Sequence, residues 1–147
     1  MEPTLKIYLV RHGETDWNLS GKAQGQSDIP LNSTGESQAT SISEYFSHIN
    51  INSIYSSSVQ RALKTASIIA LNHDHDPIIN DKFLEIDFGA LDGTPLNEMR
   101  SRFPDFFDEW TSDPTTAIFP ESKETLQLLQ SRTWEGINEL VKRHKET

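Results

Sequence analysis

The 147-residue chain carries a net charge of −9, a pI near 4.9, 35% hydrophobic residues and no cysteine. The length suits one domain with a buried core, the acidic balance argues against nucleic acid and anionic membranes as partners, and disulfide or thiol chemistry is excluded. No run approaches the roughly 18 apolar residues of a membrane span, and Met1–Thr4 starts no signal peptide, so a soluble, cytoplasmic protein is expected.

Leu5 to Val10 predicts a short buried strand, apolar and rich in residues that suit a pleat. It runs into Arg11-His12-Gly13. In open α/β sheets, ligands sit beyond the carboxyl ends of strands. Arg11 offers a planar fork of donors for phosphate or carboxylate. His12 is suited to act as nucleophile or proton carrier. Gly13 lets the main chain approach a ligand closely. Residues 13–34 read as a loop punctuated by Gly, Ser, Asn, Asp and Pro, with a helical turn near Asp16-Trp17-Asn18.

Residues 34–49 predict a helix, capped by Ser33 or Thr34, with Ala39, Ile42, Phe46 and Ile49 at helical spacing. Ile51–Tyr55 predicts a second strand. Ser56-Ser57-Ser58 follows, and a helix starts near Val59 with Ala62, Leu63, Ala66, Ile69 and Ala70 on its apolar stripe. Arg61 lies in its first turn, where a cation is unfavourable unless an anion joins it. A lone arginine there is otherwise a solvated one. His73-Asp74-His75-Asp76 alternates like a metal site, but no further motif completes it, and a polar loop is the simpler reading. Pro77–Asn80 predicts a third strand.

Leu84-Glu85 enters a loop with Gly89 and Gly93. Leu96, Met99 and Phe103 predict a short helix ended by Pro104. Phe106, Phe107 and Trp110 form an aromatic cluster, a lid or a core patch. Ser122 to Arg143 predicts the last helix, with Leu126, Leu129, Thr133, Ile137, Leu140 and Val141 on one face. The order strand, helix, strand, helix, strand, lid, helix points to a three-layer α/β/α sandwich with a mainly parallel sheet in a single domain over 1–147.

The run Arg11-His12-Gly13-Glu14-Thr15-Asp16-Trp17-Asn18 resembles the signature of the histidine phosphatase superfamily, which includes phosphoglycerate mutases and small phosphatases. Further similar pieces follow in the family's order. They are Gln24-Gly25 with Asp28–Leu31, Gly35 with Gln38-Ala39, Ser56–Ser58 with Arg61 and Thr65-Ala66, and Leu84–Gly89 with Leu91 and Gly93. The likeness covers residues 5 to about 132 and fits the branch of compact small-molecule phosphatases, with a phosphoglycerate mutase-like fold.

The resemblance implies a phosphatase for small phosphomonoesters that works through a phosphohistidine. His12 is then the nucleophile, Arg11 and Arg61 bind phosphate with Asn18, and Gln24 and Gly25 contact substrate. Read alone, Asn18 and Gly25 are ordinary turn residues. Glu85 is implied to protonate the leaving oxygen, a task that favours a pKa raised by desolvation. No metal or organic cofactor is implied.

Two departures stand out. The family's Gly-Glu-Ser step before the last helix is Lys123-Glu124-Thr125 here, while Arg132 matches a family arginine. The family's second histidine, on a strand after the last helix, has no counterpart, and neither His144 nor His48 is placed to replace it. Three expectations follow: a truncated enzyme, a short paralogue with weak or no turnover, or a homodimer whose second copy fills the gap. Two other functions stay open. One is a non-catalytic module that binds a phosphate ligand or partner. The other is a phosphoglycerate mutase, although mutases carry a longer segment after the glutamate.

Overall fold

The computed structural model describes residues 5–145, with side chains through His144. The reading of Met1–Thr4 lies outside the described residues. Elements run in the order α1 (Asp16–Leu19), α2 (Ser33–Phe46), β1 (Tyr55–Ser56), α3 (Gln60–Ala70), β2 (Ile78–Ile79), α4 (Met99–Arg102), α5 (Pro104–Ser112) and α6 (Leu126–Lys145). Single 3-10 turns lie at Asp81–Phe83 and Gly89–Leu91.

Asn32, not Ser33 or Thr34, caps α2, its side-chain oxygen accepting from the Gly35 N–H at 2.9 Å. Helices α2 and α3 pack together, and Ser43 donates from α2 to the Ile68 carbonyl of α3 at 2.9 Å. The buried faces carry Ala39, Ser43 and Phe46 on α2, and Thr65, Ala66, Ile69 and Ala70 on α3. Across α3, β1 and β2 pair in parallel, Tyr55 opposite Ile78 and Ser56 opposite Ile79. This is the parallel α/β connection the sequence predicts, shorter at both strands.

The first predicted strand departs from expectation. Among the described residues, Leu5–Val10 makes no ladder hydrogen bond, and Leu9 is 88% exposed. Apolar, β-branched character fits a segment for a sheet but cannot supply its neighbour. Tyr8 is the half-buried member of the stretch, its ring edge-on to Phe46 at 5.2 Å.

A hydrophobic core lies later in the chain. Ala23, Ile86, Leu91, Met99, Phe106, Ala117 and Phe119 form one buried cluster. The rings of Phe106, Trp110 and Phe119 sit 4.9–5.6 Å apart. Phe106 is buried in this cluster and Phe107 and Trp110 pack against it, so the aromatic residues form a core patch, each large side chain stabilising by about 2–3 kcal/mol when fully buried. Pro104 also acts otherwise than expected. It does not merely stop a helix; Phe103 leaves helical geometry (φ −129°, ψ 56°) and Pro104 begins α5. Helix α6 crosses the Asp81–Phe83 turn, where Lys82 meets Glu139 at 2.5 Å and Glu135 at 3.1 Å.

Candidate active site

His12 follows the exposed stretch and is half-buried. Its Nδ1 lies 2.7 Å from the Gly13 carbonyl. A carbonyl only accepts, so Nδ1 carries the proton and Nε2 keeps its lone pair. Burial pushes the imidazole below its ordinary 6.5, and the Arg61 and Arg11 charges push the same way against the Gly13 bond and Glu85. The ring is therefore neutral near pH 7. Arg11 is exposed.

Gly13 is needed for a different reason than a ligand's approach. A Cβ there would fall 2.3 Å from the Gly35 carbonyl oxygen, and one on Gly35 would fall 2.1 Å from the Glu14 oxygen. Two backbones touch here, which fixes the histidine loop on the start of α2. The Gly13 N–H donates to Thr65 at 3.1 Å, and Thr65 donates to the Arg61 carbonyl at 2.8 Å. The His12 loop and α3 are thus tied at the position of Arg61.

Arg61 is 1% exposed. One terminal nitrogen donates to the Ser27 carbonyl at 2.8 Å and the other to the Gly25 carbonyl, while the buried Nε has no partner among the described residues. The Gly25 and Ser27 N–H groups in turn both donate to the Asp92 carboxylate at 2.8 Å. Both backbone polar groups of Gly25 are therefore engaged, the N–H by Asp92 and the carbonyl by Arg61, so Gly25 helps to seat Arg61. Asp28 accepts from the Gln60 N–H at 2.6 Å and caps α3 from outside, where Val59 provides no cap. Burial pulls the Arg61 guanidinium below its ordinary value, and Glu85, Asp92 and Asp28 resist. The anion expected beside this first-turn cation is in part the protein's own.

Asn18 and Thr15 form a reciprocal capping box on α1, and the buried Thr15 hydroxyl also donates to the Gln24 side-chain oxygen at 2.5 Å. The Asn18 carbonyl oxygen and the Gln24 oxygen are thus committed to the loop. Glu85 is exposed, so the desolvation expected around it is not present. One of its carboxylate oxygens accepts from the next N–H, Ile86, at 2.9 Å. His144 lies apart from these groups, its Nε2 3.0 Å from the Tyr55 hydroxyl.

Sequence reasoning missed Asp92, and it placed Asp28 and Thr65 in the resembling pieces without giving them a role. Asp92 stands between Leu91 and Gly93, both part of the recognised pattern, and that adjacency was the available signal. His12, Arg61 and Glu85 come together electrostatically, since both Arg61 and Glu85 act on the His12 proton.

The histidine phosphatase superfamily (branch 1) matches residues 7–147. The chain belongs to the histidine phosphatase superfamily. A Bacillus subtilis (strain 168) relative named Uncharacterized phosphatase PhoE is 43% identical over 132 residues, covering 89% of this chain and 62% of the relative. Phosphoserine phosphatase 1 of Hydrogenobacter thermophilus is 33% identical over 140 residues, covering 95% and 66%. The solved structure of Bacillus stearothermophilus YhfR is 30% identical with a TM-score of 0.82, covering 91% of this chain and 66% of that one. As a histidine phosphatase superfamily member, the chain spans a little under two thirds of the length of these relatives. Among its described residues, no helix is long and apolar enough to cross a membrane.

Proposed function

We propose that this chain supplies the phosphoryl-transfer site of a small-molecule phosphatase. The His12 Nε2 attacks the phosphorus of a small phosphomonoester, a P–N bond forms and the ester P–O bond breaks. Arg11 and Arg61 offset the charge on the non-bridging oxygens, with the free amide of Asn18 as a further donor. Glu85 gives its proton to the leaving oxygen, then takes one from the water that cleaves the P–N bond. The observation that carries this reading is the short Nδ1 bond to Gly13, which presets the tautomer that attack requires.

Under this reading the protein works in the cytoplasm as a single domain on small phosphorylated metabolites. A second copy pairing along Leu5–Val10 would give a homodimer. One observation favours the other reading, a module that binds phosphate without turnover: the Glu85 carboxylate is exposed and turned onto its own chain.

Phosphate release from 4-nitrophenyl phosphate, followed from pH 5 to 8 beside a His12→Ala variant, tests the proposal. Turnover that rises with pH, with its midpoint below 6.5, and that vanishes in the variant is the expected result, because a depressed His12 loses its proton early. Equal release by both chains overturns the enzyme reading and leaves the binding module.

A further inference from the structure

Glu85 sits in a segment with little regular structure, yet a proton donor must be held close to its target. Arg132 on α6 reaches that segment with its whole fork. Its NH1 donates to the Lys82 carbonyl at 2.9 Å and the Leu84 carbonyl at 2.7 Å. Its NH2 donates to the Glu85 carbonyl at 3.0 Å and to Glu124 at 3.1 Å, and its Nε donates to the other Glu124 oxygen at 2.5 Å. All five guanidinium N–H donors are spent, so Arg132 has none left for a phosphate.

Glu124 completes the frame from the other side. The oxygen that takes NH2 also accepts the Asp87 N–H at 2.8 Å. Ser122 donates to the Asp87 carboxylate at 2.9 Å, and the Glu124 N–H returns to the Ser122 hydroxyl at 3.0 Å. The stretch that delivers Glu124 carries Glu121 at φ 61°, a left-handed backbone that a β-carbon disfavours. Strain of this kind persists where surrounding contacts over-determine the backbone, as in ligand clamps. Three carbonyls before and at Glu85, and one N–H after it, are thus fixed by one half-buried ion pair.

We propose that Arg132 and Glu124 are positioning residues that lock the backbone on both sides of Glu85 and so aim its carboxyl at the leaving oxygen. The inference rests on the phosphatase reading for the role of Glu85. It also accounts for Glu124 in the Lys123-Glu124-Thr125 step, which the family pattern left without a role.

The test compares wild type, Glu124→Gln and Arg132→Lys on two substrates. Phenyl phosphate has a poor leaving group that needs a proton; 2,4-dinitrophenyl phosphate has a good one that does not. Each variant should lose about 10²-fold in kcat/KM, which reports only the steps through P–O cleavage, on phenyl phosphate, the scale of general-acid catalysis, and less than about 10-fold in kcat/KM on the dinitro ester. A merely structural role would slow both substrates alike, and that result overturns the proposal. Amide hydrogen exchange provides the second arm: Asp87 should exchange at least about tenfold faster in both variants, with α3 unchanged, as expected for local opening. If wild type releases no phosphate, the phosphatase reading falls. The exchange arm still decides the clamp, and unchanged Asp87 exchange overturns it. Should both variants fail to fold, Ser122→Ala removes one hydroxyl from the same frame and should give smaller changes in the same direction; equal effects on the two substrates again overturn the clamp.

Discussion

Two arginines hold two loops of this molecule, and they do so differently. Arg61 is seated by the Gly25 and Ser27 carbonyls and, among the described residues, uses two of its five donors, leaving three unspent. Arg132 spends all five on Glu124 and three carbonyls. The carboxylates around Arg61 act on it without closing an ion pair within 4.0 Å among the described residues, whereas Glu124 grips Arg132 directly. On the proposed reading, a buried cation with spare donors can still take a ligand. A cation with none is arranged to hold protein.

The sharpest test of that contrast is anion binding. Arg61→Lys should weaken orthovanadate binding about 10–100-fold in calorimetry, the worth of a charged hydrogen bond, while Arg132→Lys stays within a few-fold. Equal weakening would erase the distinction. A smaller effect probes how the Arg61 side is anchored. Gly35→Ala forces a Cβ onto the Glu14 carbonyl and should cost about 1–3 kcal/mol in urea unfolding, although alanine is the better helix former. A neutral outcome would mean that the histidine loop is not braced on α2.

The mildest test concerns acid. Burial pushes the Glu124 carboxyl up, but hydrogen bonds from Arg132 and the Asp87 N–H outweigh it and hold the group below its ordinary 4.5. The folded protein then binds fewer protons than the unfolded chain. The stabilisation is full above pH 4.5 and is lost as pH falls through the folded value. Glu124→Gln should flatten that part of the stability-against-pH curve in denaturant titrations, and an unchanged slope would argue that the pair does not set it.

The contrast also shows what a sequence can convey. Arg11-His12-Gly13 was legible because its residues are adjacent and chemically unusual together. The helices were legible through their spacing, and the α2 cap was missed by one residue because Asn, Ser and Thr all cap well. The fate of Leu5–Val10 was not legible, since pairing depends on a partner that local pattern cannot name. Nor were the roles of Asp92 and Asp28. Each looks like a solvated loop acid until folding brings Gly25, Ser27 or Gln60 against it. Glu85 was recognised by resemblance, but its exposure is a property of the assembled surface.

The seating of Arg61 has a consequence for the order in which the protein is built. Its loop is braced by Asp92, 67 and 65 residues away from Gly25 and Ser27, and Glu85 is braced by Arg132, 47 residues further on. A chain emerging from its N-terminus offers His12 first, the seat of Arg61 only after residue 92, and the Arg132 brace of Glu85 last. Contacts this distant close late, because loop closure must precede their reward. His12 is therefore made early and framed late: Arg61 takes its seat, and Glu85 its brace, only after most of the chain has been made.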